Sequence, residues 1–307
     1  MSSLHGEDVS LSEFLHDNYS RLLAEMLSVW TDQSNVSQAP AFVWQTSEPG
    51  PIPDSELLLT EAHVQAAMVG VNVMAHLKVL LRAYPTRRTD LVAPEDHHWP
   101  GFASFTVARG ALEGCAQICW LLDQTVSQKE RLRRIARLLI WSGHFDNRAT
   151  EFRSGGASPS SAELLRRIRG AGMAVSESTG RYRPSKVDGA AFAQTAVIKT
   201  ILGERGLNWY NNWSGAAHHG PWQLGPANRI EYTEDAAGVW GQFDTQSSAH
   251  LDLCADLAEI VCRAVQAWAQ YWGRDPETPA LPILEIAAIL RTASAQYPTQ
   301  PSGLGAV

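Results

Sequence analysis

Apolar residues recur at helical spacing along nearly the whole 307-residue chain, and no segment sustains the two-residue alternation of a half-buried strand. That property restricts the fold to packed helices. The sequence predicts an all-α protein: a single multi-helix bundle with an irregular N-terminal arm and a disordered C-terminal tail. Proline sets the boundaries, because it removes a helix donor and clashes with the preceding turn. Leu11, Phe14, Leu15, Leu22, Leu23 and Met26 mark an N-terminal helix ending near residue 30. Pro40, Pro49, Pro51 and Pro53 forbid its continuation, so 31–57 reads as an arm laid over the surface. The bundle is expected over 58–295. Its helices are predicted from a Thr60 cap to about 83, then over 102–123, 127–152, 162–173, 189–203 and 207–218. Another runs from about 233 or 245 to 272, and a last one begins at Pro282. The short connection near residue 125 predicts an antiparallel pair, and 296–307 reads as the tail.

Apolar residues make up 45% of the chain and charged residues 19%, too apolar a balance for a disordered polymer. The most apolar stretch, Val64 to Leu81, is broken by Gln65, Asn72, His76 and Lys78, so no membrane segment is expected. Glu7, Asp8 and Glu13 lie where a signal peptide would be basic, then apolar. Cys115, Cys119, Cys254 and Cys262 fall in helical apolar patterns, as reduced thiols of a cytoplasmic protein would. The net charge of −7 argues against a general nucleic-acid or membrane binder. Residues 127–170 nonetheless hold ten Lys or Arg against four acids. Such a segment either binds an anionic ligand, a phosphate or RNA, or pairs with acidic neighbours on a solvated face.

Two polar faces interrupt the apolar helices. Arg109 and Glu113 are four apart, with Gln117 and Trp120 extending their stripe, among neighbours apolar enough to predict that the pair lies inside. The pair is either a register-fixing ion pair or an anion anchor beside a proton carrier. Tyr210, Ser214 and His218 recur every four positions, putting phenol, hydroxyl and imidazole on one face. A serine beside a histidine suits nucleophilic or general-base chemistry, although a mid-helix serine also bonds its own preceding turn. Gly220 and Pro221 would end that helix, leaving His218 and His219 in its last turn. Trp209, Trp213, Trp222, Trp240, Trp268 and Trp272 cluster late in the chain, as pocket walls or as core.

Metal and cofactor signatures are weak. Glu95 and His98 have E-x-x-H spacing but fall between Pro94 and Pro100, off any helix, and no C-x-x-C knuckle exists. P-loop, G-x-G-x-x-G and G-x-S-x-G patterns are absent, so no metal and no cofactor are expected.

The segments ARGALEGCAQICWLLD (Ala108 to Asp123), RLRR (Arg131 to Arg134) and YNNWSGAAHHG (Tyr210 to Gly220) resemble a group of uncharacterised all-helical bacterial proteins common in actinobacteria, themselves distantly similar to the HEPN superfamily. In the group's pattern a serine is followed four residues later by histidine and then glycine. Here Ser214 reaches His218, and Gly220 follows His219. HEPN ribonucleases carry an arginine, four to six residues, then a histidine; Arg137 and His144 have that spacing, while Leu138 departs from the polar position after the arginine.

Three functions are compatible with these residues. In the first, an enzyme or RNA-acting protein uses His218 as general acid or base, Ser214 as nucleophile or positioning hydroxyl and Glu113 as orienter. Arg109, Arg131, Arg134, Tyr210 and Trp213 then bind an anionic small molecule or RNA. In the second, the same residues form a satisfied network in a non-catalytic interaction or dimerisation module, with a homodimer as the expected assembly. The third is a small-molecule transferase of specialised metabolism with a tryptophan-walled acceptor pocket.

Overall fold

The computed structural model describes residues 11–31, 53–84, 101–154, 160–176, 185–217, 228–235, 238–245 and 247–296. Among them the chain is all-α. Eight helices, α1 (Leu11–Thr31), α2 (Asp54–Ala83), α3 (Gly101–Leu122), α4 (Gln128–Ser154), α5 (Ser160–Gly170), α6 (Gln194–Ala217), α7 (Ser247–Tyr271) and α8 (Glu277–Gln296), carry the architecture. Two small antiparallel hairpins join them: β1 (Val175–Ser176) with β2 (Lys186–Val187), and β3 (Asn228–Asp235) with β4 (Gly238–Thr245).

Helix α3 is the axis of the bundle and touches α2, α4, α6 and α7. Its small residues permit this. Ala108, Ala111, Cys115 and Ala116 are fully buried, and Gly110 and Gly114 present bare backbone to α2. A methyl added at Gly114 would meet the Val73 side chain at 2.5 Å, and one at Gly110 would meet the His76 ring at 2.6 Å. Helix α7 also packs on α3, with Leu251, Leu257, Ala258, Val261 and Val265 buried, and α1 and α8 close over it. Trp30 of α1 stacks on Trp268 with ring centroids 4.2 Å apart and donates its indole N–H to the Ala67 carbonyl at 3.3 Å. It lies against Gly70, another position where a side chain would collide.

A buried polar network ties α1, α2, α3 and α7. The Tyr84 hydroxyl, at the end of α2, lies 2.8 Å from Nδ1 of His250 and also bonds Ser104. Tyr19 stacks on Tyr84 at 5.4 Å. Burial holds the His250 imidazole neutral, with its pKa lowered to about 4.

Several boundaries differ from the sequence-based expectation. Helix α2 begins at Asp54, inside the predicted arm, because Pro53 supplies a fixed φ of −56° and Asp54 and Glu56 place acid in the first turn. Thr60 is therefore not a cap but an interior residue bonding the Glu56 carbonyl. The arm's residues 32–52 and the tail's 297–307 lie outside the described residues, as do Glu95 and His98. Helix α8 starts at Glu277, since the Asp275 carboxylate accepts from the Glu277 and Thr278 amides, and Pro282 sits inside it. The two helices predicted over 189–203 and 207–218 are present as the two halves of α6, which part at the expected place, Gly203, whose φ of 66° needs glycine; only the start differs, at Gln194. The β3–β4 hairpin replaces the start predicted near residue 233. It pairs Asn228 with Thr245 through Asp235 with Gly238, and Ile230 and Tyr232 do alternate with Glu231 and Thr233, for too few residues to outweigh the helical background.

Replacing Gly114 with Ala is expected to lower stability by about 1–2 kcal/mol in urea unfolding, overpacking against Val73 outweighing the better helix propensity. The same change at Gly143 of α4, where nothing lies within 4 Å, should be neutral or stabilising. For His250 the unfolded imidazole binds a proton below about 6.5 and the folded one only below about 4. Stability is thus full above pH 6.5 and falls by up to about 3 kcal/mol as pH drops through that window. His250→Gln should flatten this slope in pH-dependent urea titrations.

Candidate functional site

Helices α3 and α6 lie side by side, and each brings a pair of residues one turn apart to the contact. From α3, the Arg109 guanidinium uses its planar fork in three directions. Nε donates to Oε1 of Glu113 at 2.8 Å, one terminal nitrogen donates to the Ser214 hydroxyl at 3.1 Å, and the other to the Tyr210 hydroxyl at 3.1 Å. The guanidinium carbon also lies 4.8 Å from the Tyr210 ring centroid. Four of the predicted site residues therefore meet at one point.

The break at Gly203 makes this possible. Gln194 opens α6 and donates to the Glu113 carbonyl at 3.1 Å, so both halves of α6 reach the same turn of α3. Gln194 and Tyr210 would stand about 24 Å apart on a straight helix. The non-helical Gly203 breaks that line between the two halves.

The cluster is half-buried, not sealed inside as expected. The Arg109 and Glu113 side chains keep 24% and 31% exposure, and Tyr210 and Ser214 are also partly exposed. A charged pair with an edge in water avoids most of the desolvation cost of a fully buried one. The apolar helix surround, from which burial was predicted, belongs to the faces toward α2 and α7.

His76 lies beside this cluster, a neighbour that the motif spacing did not reveal. It projects from α2 over Gly110, one turn from Glu113. Burial lowers its pKa, with the Glu113 carboxylate opposing, so the ring is neutral at pH 7. In the sequence it stood only as a polar break in an apolar helix.

Other predicted residues lie elsewhere or outside the description. His218 and His219 fall outside the described residues. Arg134 is buried at the α3–α4 joint, donating to the Trp120 carbonyl at 2.7 Å and to Asp123 at 3.0 Å. Arg131 donates to Gln124 at 3.2 Å in the same joint. Trp120 is about 16 Å further along α3 than Arg109, so these two arginines do not join the cluster. Their neighbours follow the pairing reading of the basic segment: Arg133 meets Asp188 and Glu130, Arg137 meets Glu130, and Arg166 meets Glu163 and Asp54. His144, the predicted counterpart of Arg137, is on α4 with its side chain outside the description. Trp213 is core, stacked on Trp209 at 6.4 Å, and Trp268 and Trp272 belong to a separate aromatic group around His63. All four cysteines are buried as free thiols. Among the described residues, no three His, Cys, Asp or Glu side chains are placed to hold a metal.

No family model matches the chain, and neither the curated proteins nor the solved structures contain a match to it.

Arg109→Lys keeps the charge but cannot serve three acceptors in one plane. It is expected to cost about 1–2 kcal/mol in thermal or urea unfolding. A loss no larger than that of a surface arginine change such as Arg21→Lys would show that the fork does not hold α3 to α6.

Proposed function

We propose that the Arg109 cluster is an oxyanion site of an enzyme acting on an anionic substrate, a nucleotide-linked small molecule or RNA, by histidine-assisted acid–base chemistry. The observation that carries this is the direction of the hydrogen bonds. Ser214 and Tyr210 both accept from Arg109, so the hydrogen of each hydroxyl is directed away from the guanidinium. Two neighbouring O–H donors backed by a cation form a site for a phosphate or carboxylate oxygen. Glu113 orients the fork through Nε, leaving the terminal nitrogens to the hydroxyls. His76 is the base: a neutral imidazole with a carboxylate near enough to stabilise the imidazolium it becomes. His218, four positions beyond Ser214 in the sequence, is the second candidate for that role.

A second reading, a non-catalytic module in which the cluster only locks α3 to α6, draws on the pairing of Arg109 with Glu113, which already balances the arginine's charge. Removing one hydroxyl hydrogen at a time separates the two. Calorimetric titration with inorganic phosphate, AMP and a short RNA is expected to show binding by the wild type that weakens about tenfold in Tyr210→Phe and in Ser214→Ala, with little change in Tm. Lowered Tm with no ligand binding in any form favours the lock. RNA cleavage that requires Arg137 and His144 but survives Ser214→Ala would move the chemistry to α4.

A further inference from the structure

Helix α2 is double-faced. One side carries Leu58, Ala62, Ala66, Val73, Leu77 and Leu80 into the core, while the other exposes large apolar side chains. Met68, Val71 and Val79 are each more than half exposed, and Val64 is 40% exposed, with exposed Ala75 between them. By length and composition this helix could cross a membrane, yet only a third of its most apolar window is buried. A contiguous apolar stripe of this kind on a charged-rimmed helix marks an interaction surface.

The order of residues on the stripe identifies the partner. Glu61, Val64, Met68, Val71, Ala75, Lys78, Val79 and Arg82 fall within about 100° of the helix surface, and Asn72 lies at the rim. Read outward from the midpoint between Val71 and Asn72, the pattern is its own complement. The two central residues face each other, then Met68 is matched with Ala75, Val64 with Val79, and Glu61 with Arg82. A two-fold axis through that midpoint would set each large Met68 over the partner's Ala75, a knob over a gap. It would also set each Glu61 carboxylate against the partner's Arg82, an opposite-charge pair at both ends. Gln65 and Lys78 are matched in the same way. Self-complementarity about a two-fold is the requirement of an isologous interface.

We infer that α2 forms the seam of an antiparallel homodimer, pairing with α2 of a second copy about an axis between Val71 and Asn72. The two ends of the stripe carry opposite charge, so the alternative parallel pairing would juxtapose Glu61 with Glu61 and Arg82 with Arg82 and is disfavoured. The stripe does not overlap the Arg109 cluster, so this inference stands or falls apart from the proposed chemistry.

The test is sedimentation equilibrium of the full chain with charge reversals at the two ends. The wild type is expected to dimerise. Glu61→Arg alone and Arg82→Glu alone each create two like-charge contacts and should raise the dimer dissociation constant at least about tenfold. The double variant E61R/R82E should restore it, and Met68→Glu should abolish dimerisation with Tm of the monomer retained. A chain monomeric up to about 100 μM, weaker than a stable interface permits, overturns the inference. So does a dimer indifferent to these variants, or a double variant that fails to restore association. Flotation with phosphatidylcholine vesicles supplies the remaining outcome: a monomer that floats with vesicles, and loses this with Met68→Glu, assigns the stripe to a bilayer and overturns the homodimer.

Discussion

The absence of two side chains organises this molecule. Gly110 and Gly114 let the backbone of α3 approach α2 closely enough that Val73 and His76 fill the space a pair of methyl groups would occupy. That contact fixes the rotation of α2. With Val73 and Leu77 directed at the core, the imidazole falls over α3 beside Glu113, and Met68 and Val71 are left outside. Site and surface stripe are thus two results of one helix contact. Dispersion energy in such a contact accumulates from many small terms, and it is lost when the helices are pushed apart by even a methyl group.

The elements that long periodic segments encode were legible in the sequence. Helices α1, α3, α4 and α7 follow their apolar repeats to within a few residues, because burying one continuous face is what stabilises them. Errors gathered where a local device overrode the pattern. The Asp275 carboxylate starts α8 ahead of Pro282, Pro53 starts α2 ahead of Thr60, and β3 and β4 are held by backbone pairing that alternation over four residues barely signals. The convergence of Arg109, Glu113, Tyr210 and Ser214 was legible because each pair has the four-residue spacing of a helix face, and two polar faces in apolar helices have few places to go except against each other. Its exposure was not legible, since hydropathy around α3 does not say which neighbour covers which side. His76 was hidden for a related reason: its partner is a glycine, which no motif of reactive groups includes.

Two polar networks divide the labour along the bundle. Tyr84, Ser104 and His250 are buried and bonded to one another through the Tyr84 hydroxyl, and Tyr19 stacks on Tyr84, so the group joins four elements, which suits it to fixing how the helices meet. Arg109, Glu113, Tyr210 and Ser214 use the same kinds of group but keep an edge in water. The two clusters differ in solvent contact, not in residue type.

Ala75 and His76 are consecutive in α2, yet one lies on the outer stripe and the other over Gly110. Helix α2 therefore acts as a party wall with a different room on each side. A slide of this helix by one residue's rise, about 1.5 Å, changes the spacing of imidazole and carboxylate by a similar amount. Whatever grips the outside of the wall also sets the dimensions of the room within.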